Sequence, residues 1–116
     1  MQKHHMKLAT ELFNNIAIGK KVIESRLFDE KRRQIHLGDH IIFEEKGKPG
    51  SVVDTLVKGL LRYHTFKELF ADHDPVLFGE NSREFLLKQI KQFYSDEDED
   101  ACGVVGIRIE RLCDND

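Results

Sequence analysis

Gly19-Lys20-Lys21-Val22-Ile23-Glu24-Ser25-Arg26 joins a helix stop to a charged strand. The glycine suits the left-handed backbone on which helices commonly end. Val22–Leu27 then alternates as a strand does, with Val22, Glu24 and Arg26 on one face and Ile23, Ser25 and Leu27 on the other. A carboxylate and a guanidinium therefore share a strand face, with Lys21 three residues ahead of the carboxylate. Upstream, Leu8, Leu12 and Ile16 recur every four residues, as do Ala9, Phe13 and Ala17. That spacing predicts an amphipathic helix over about 10–18, with Thr10 as its N-cap and a short strand around Met6–Ala9 before it.

Downstream, Phe28–Gln34 reads as a charged connection, and Gly38-Asp39 as a turn into a strand at His40–Glu45. Lys46–Ser51 carries Gly47, Pro49 and Gly50 and reads as a second turn. Val52–Tyr63 is a long β-type stretch, in which Gly59 marks a bend or bulge. Thr65-Phe66-Lys67-Glu68 has the capping-box pattern and opens a short helix to about Ala71. Asp72–Gly79, with Pro75, is expected to be a loop. A helix is expected over Ser82–Tyr94, with Leu86, Ile90 and Tyr94 on its apolar face and Phe85 and Phe93 in the core beside them. Asp96–Asp100 reads as a solvated acidic loop. Gly103–Leu112 closes the chain as a strand, with Val105, Ile107 and Ile109 facing one way and Arg108 and Glu110 the other. No regular crossover helices separate these strands, so the fold class is α+β, with a small, strongly bent sheet or barrel.

Composition bounds the rest. A chain of 116 residues, 40% hydrophobic and 34% charged, suits one soluble globular domain over residues 1–116. The net charge of -3 hides a split: residues 1–67 hold 13 Lys/Arg against 8 Asp/Glu, and residues 68–116 hold 5 against 13. A basic face and an acidic face are expected, the acidic one open to a protein partner. No apolar run approaches the ~20 residues of a membrane span, and Met1–Lys7 is too polar for a signal peptide. A cytoplasmic protein with reduced Cys102 and Cys113 is expected, a single disulfide between them staying open. No metal is expected. Gly38-Asp39 parts His36 from His40, and the consecutive acids lack the spaced ligands and glycine of a calcium loop. No cofactor is implied either, as Gly103-Val104-Val105-Gly106 precedes no helix.

The opening motif has a definite chemistry. Lys21 can meet a phosphate as a point charge, and Arg26 can bind a phosphate or base edge through two N–H groups. Glu24 can accept a hydrogen bond from an exocyclic amine. Lys20, Arg32 and Arg33 lie close in sequence, and residues 20–33 hold 6 basic against 3 acidic residues. The competing reading is an ion-paired strand surface of little consequence for stability. Tyr63 and His64 invite a similar choice between lining a cleft and packing or facing solvent.

The ordered set of G-x-K-x-x-E-x-R at Gly19–Arg26, Gly38-Asp39, Tyr63-His64-Thr65-Phe66-Lys67-Glu68-Leu69 and Gly103-Val104-Val105-Gly106-Ile107 resembles the ASCH domain family, named for activating signal cointegrator homology. The resemblance runs from about Met6 to Leu112. It implies a small mixed β-barrel similar to the PUA domain, with flanking helices and a cleft near the motif. It also implies binding of RNA or a nucleoside or nucleotide ligand, for which the candidate residues read from the motif and its basic surroundings are Lys20, Lys21, Glu24, Arg26, Arg32 and Arg33. One bacterial branch similar in fold hydrolyses N4-acetylcytidine with a Lys, a Thr and a Glu. On that branch's pattern an amidohydrolase site would comprise Lys21, Glu24 and Glu80, with Glu24 standing where the branch has its threonine.

Overall fold

The computed structural model describes residues 1–112. Strand β1 (Lys3–Leu8) runs into helix α1 (Thr10–Ala17), and β2 (Ile23–Leu27) follows. After a 3-10 turn at Arg32–Gln34 come β3 (His40–Glu45) and β4 (Val52–Tyr63). Helices α2 (Phe66–Asp72), α3 (Arg83–Ile90) and α4 (Asp96–Cys102) precede the last strand, β5 (Val104–Arg111), with a 3-10 turn at Pro75–Phe78 between α2 and α3.

The five strands form one mixed sheet in the order β1-β3-β4-β5-β2. β1 pairs in parallel with β3, and every other pairing is antiparallel. The sheet curls into a half-barrel, the bent α+β sheet with flanking helices expected from the sequence. β1 and β2, at the two ends of the order, do not pair with each other. The register slips between Val57 and Gly59, so the bulge expected at Gly59 bends β4 there.

Each side of the sheet buries its own core. Met6, Leu8, Phe13, Ile16, Phe43, Val105 and Ile107 pack inside the curl beneath α1. Ile23, Phe66, Leu69, Phe70, Phe78 and Val104 pack beneath α2 and α3 on the other side. Leu69 comes so close to β5 that a Cβ on Gly106 would lie 2.9 Å from its Cδ1. Gly106 is what lets α2 settle directly on the sheet.

The structure corrects three sequence-based expectations. Ala9, not Thr10, is the N-cap of α1, and no side chain caps that helix. The acidic run is not a solvated loop. It forms α4, capped by the reciprocal Ser95–Asp98 hydrogen bonds, where carboxylates favour the helix N-terminus. Within it, Glu99 is buried, accepts a hydrogen bond from the Phe66 amide at 2.8 Å and pairs with Lys91. Phe85 and Phe93 are exposed rather than in the core: Phe85 lies beside the buried Leu86 in α3, and α3 ends at Ile90 before Phe93 can join its apolar face.

The capping box of Thr65 and Glu68 forms as expected. Cys102 ends α4, half-buried, while Cys113 lies outside the described residues. Among the described residues, no helix is long and apolar enough to cross a membrane.

Candidate functional site: a cationic cleft between the sheet edges

The residue ahead of β2 is fixed from two sides. The Lys21 amide donates to the Asn15 carbonyl of α1 at 2.9 Å, and the Val22 amide to the Leu77 carbonyl at 2.9 Å. Gly79, at φ +88°, lies under the lysine stem, and a Cβ there would come within 3.2 Å of Lys21 Cβ. The backbone thus directs Lys21 inward, and the side chain is only 9% exposed.

Lys21, Glu24 and Arg26 form one ion triad. Lys21 Nζ is 2.6 Å from Glu24 Oε1, while Arg26 Nε and Nη2 each lie 2.9 Å from Oε2. Burial alone would raise the Glu24 pKa. The charges and hydrogen bonds of Lys21 and Arg26 outweigh it and bring the carboxyl down to about 2. Burial would likewise lower the pKa of Arg26, but Glu24 and the Tyr94 hydroxyl hold it above its ordinary value. The strand surface expected from alternation is therefore not solvated: Glu24 is 3% exposed.

The triad lines one wall of a cavity of about 210 Å³. Both sheet edges contribute, with Lys7 and Leu8 from β1 and Lys21, Glu24, Ser25 and Arg26 at β2. Lys46, from the turn between β3 and β4, joins them. The far wall is apolar, built from Phe70, Phe78, Leu86, Ile90, Phe93 and Tyr94, with Gln89 beside them. The cleft thus lies where the barrel fails to close. Tyr94 is anchored by stacking on Phe66, with centroids 5.7 Å apart, whereas Phe93 is 60% exposed.

The β2 main chain adds polar groups. Ile109 donates to the Val22 carbonyl and Phe28 to the Gly103 carbonyl, each at 2.9 Å. Antiparallel alternation then turns the Glu24 and Arg26 backbones towards β5 and leaves the Ser25 N–H and C=O on the open edge. A ligand in the cleft can meet a donor and an acceptor there.

The other sequence-based candidates fall elsewhere. Lys20 is exposed and does not line the cavity, and neither does Glu80. Arg32 pairs with Asp29 at 3.0 Å, and Arg33 stacks on Phe28. Tyr63 donates its hydroxyl to Asp72 at 2.8 Å, and His64 is 3.3 Å from Asp100, so neither lines the cleft. Lys7, Lys46 and Phe93 are the additions. They lie far from the motif in sequence, and no local signal marks them.

The comparisons with known proteins agree with this architecture. The family model of the ASCH domain matches residues 6–112. The crystal structure of the hypothetical protein PH0355 is 43% identical, with a TM-score of 0.83 over 97% of this chain and 100% of that one. The solution structure of protein PF0455 from Pyrococcus furiosus is 38% identical, with a TM-score of 0.73 over 95% and 97% of the two chains. The crystal structure of ASCH from Zymomonas mobilis shares the fold at 14% identity, with a TM-score of 0.65 over 93% of this chain and 66% of that one. No curated protein matches the chain. With the match running from within β1 through β5 and covering the residues that line the cleft, the chain belongs to the ASCH domain family.

Proposed function

We propose that the cleft binds a nucleotide of single-stranded RNA. The observation that carries this reading is its charge: Lys7, Lys21, Arg26 and Lys46 face one carboxylate, Glu24. Such an excess draws a polyanion, and its concave shape suits one extruded residue rather than a duplex. Phe93 offers an exposed ring on which a base can stack, and Ser25 offers main-chain groups to a base edge. Lys7 and Lys46, both exposed, can meet phosphates.

The same geometry disfavours amide hydrolysis through Lys21, Glu24 and Glu80. A general base must accept a proton near neutral pH. Glu24, with a pKa brought down to about 2, is too weak a base for that role. Glu80 does not line the cavity. Glu24 instead positions Lys21 and Arg26.

The test is fluorescence anisotropy of a short labelled single-stranded RNA across a salt series. Binding should weaken with salt, and Lys7→Gln/Lys46→Gln should shallow that dependence by about 0.7 in slope for each phosphate that is no longer neutralised. No binding at low salt would refute the reading, and release of cytidine from N4-acetylcytidine would favour the hydrolase instead.

A further inference from the structure

A second cationic feature lies outside the cleft. The Arg62 guanidinium carbon is 3.9 Å from the centroid of the Phe28 ring, and that of Arg33 is 4.4 Å from it. Both arginines are exposed. Among the described residues, neither pairs with a carboxylate, and Arg33 reaches only the Cys102 carbonyl, at 3.4 Å. Two guanidiniums over one ring lie within a Debye length of each other, about 10 Å at 0.1 M salt, and repel. An anion that bridges their free N–H groups at the rim of the ring would offset that repulsion. Stacking also restrains each planar fork before any ligand arrives, so less freedom is lost on binding.

The sheet register ties this stack to the cleft. Arg26 on β2 and Arg62 on β4 both pair with Val105 of β5, one from each side. They therefore stand in one row on one face, about 10 Å apart at the usual strand spacing. Phe28 follows Arg26 by two residues on the same side of β2, about 7 Å further along. Among the described residues, Val105 alone stands between Arg26 and Arg62 in that row.

We propose that the Arg33–Phe28–Arg62 stack clamps a backbone phosphate next to the nucleotide held in the cleft, so that the ligand is a strand rather than a lone nucleotide. This rests on the nucleotide reading of the cleft and extends it. Continuity with the cationic cleft favours a nucleic-acid strand over an acidic peptide.

The test compares wild type with Arg33→Gln/Arg62→Gln by calorimetric titration, using a single-stranded RNA decamer, 5′-nucleoside monophosphates and an oligoglutamate peptide. The double change should weaken decamer binding at least tenfold and shallow its salt slope, while monophosphate binding is unchanged. Unchanged decamer binding would overturn the clamp and leave the cleft reading standing. Loss of oligoglutamate binding with the decamer unaffected would overturn it in favour of a peptide surface. Wild type that binds neither nucleic-acid probe would remove both readings. Should the double variant fail to fold, Arg62→Gln alone reads the same interaction, with the same outcomes at a smaller slope change.

Discussion

Lys21 Nζ lies 2.6 Å from Oε1 of Glu24, with both residues in the interior. Arg26 occupies the other oxygen, so one carboxylate organises two cations at the edge of a cavity. Buried charges survive only when paired and hydrogen-bonded, and here the pairing also fixes where both cations sit. The same three side chains form a buried ion triad and line the cavity, and the two roles can be separated by experiment.

Removing the carboxylate should cost stability. Glu24→Gln leaves Lys21 and Arg26 buried without their counter-charge, a change worth about 3–5 kcal/mol in comparable buried pairs. Urea unfolding followed by circular dichroism measures it. A loss below about 1 kcal/mol would mean that the triad is hydrated and of little structural weight.

The triad also sets an acid limit. The Glu24 carboxyl falls from its ordinary 4.5 to about 2 in the folded chain, so the unfolded chain binds the extra proton between those values. Its contribution, about 3 kcal/mol, is fully present above pH 5 and is lost as pH falls towards 2. Unfolding free energies from pH 7 to pH 2 should show that decline, and Glu24→Gln should show a smaller one. Asp39, brought to about 2 chiefly by its hydrogen bond from His4, adds a decline of the same sign that persists in the variant.

Gly79→Ala should disturb the cleft from beneath. The backbone there has φ +88°, and the new Cβ would stand 3.2 Å from Lys21 Cβ. Strain of about 1–2 kcal/mol is expected from the left-handed backbone alone. RNA affinity should fall with it, because Lys21 is displaced. Unchanged affinity on a destabilised chain would show that the lysine position does not matter for binding.

Phe93→Ala should do the reverse. The ring is 60% exposed, so stability should change by no more than about 0.5 kcal/mol. If a base stacks on it, binding should weaken by about 1–3 kcal/mol. Anisotropy titration beside a thermal melt separates the two effects.

Much of the fold was legible because its punctuation is local. β3 and β4 lie where Gly38-Asp39 and the Gly47–Gly50 turn bound them, and the Thr65–Glu68 box starts α2. The acidic run misled because like charges in sequence suggest solvation, while Ser95 and Asp98 cap a helix that buries Glu99. The motif face was legible, but its burial was not, as that depends on α1 and the Leu77–Gly79 segment closing over Lys21. Arg32 and Arg33 are close to the motif in sequence but do not line the cavity, as Arg32 pairs with Asp29 and Arg33 stacks on Phe28. Lys7, Lys46 and Phe93 converge only because the strand order leaves β1 and β2 as facing, unpaired edges.

RNA bound in the cleft beside β2 must perturb the residues that line it. Backbone amide shifts of 15N-labelled protein, titrated with an unlabelled single-stranded RNA decamer, test this most directly. The largest changes should fall on Ser25, Arg26, Phe93 and Tyr94. Changes confined to α4, or none at all, would contradict RNA binding in the cleft.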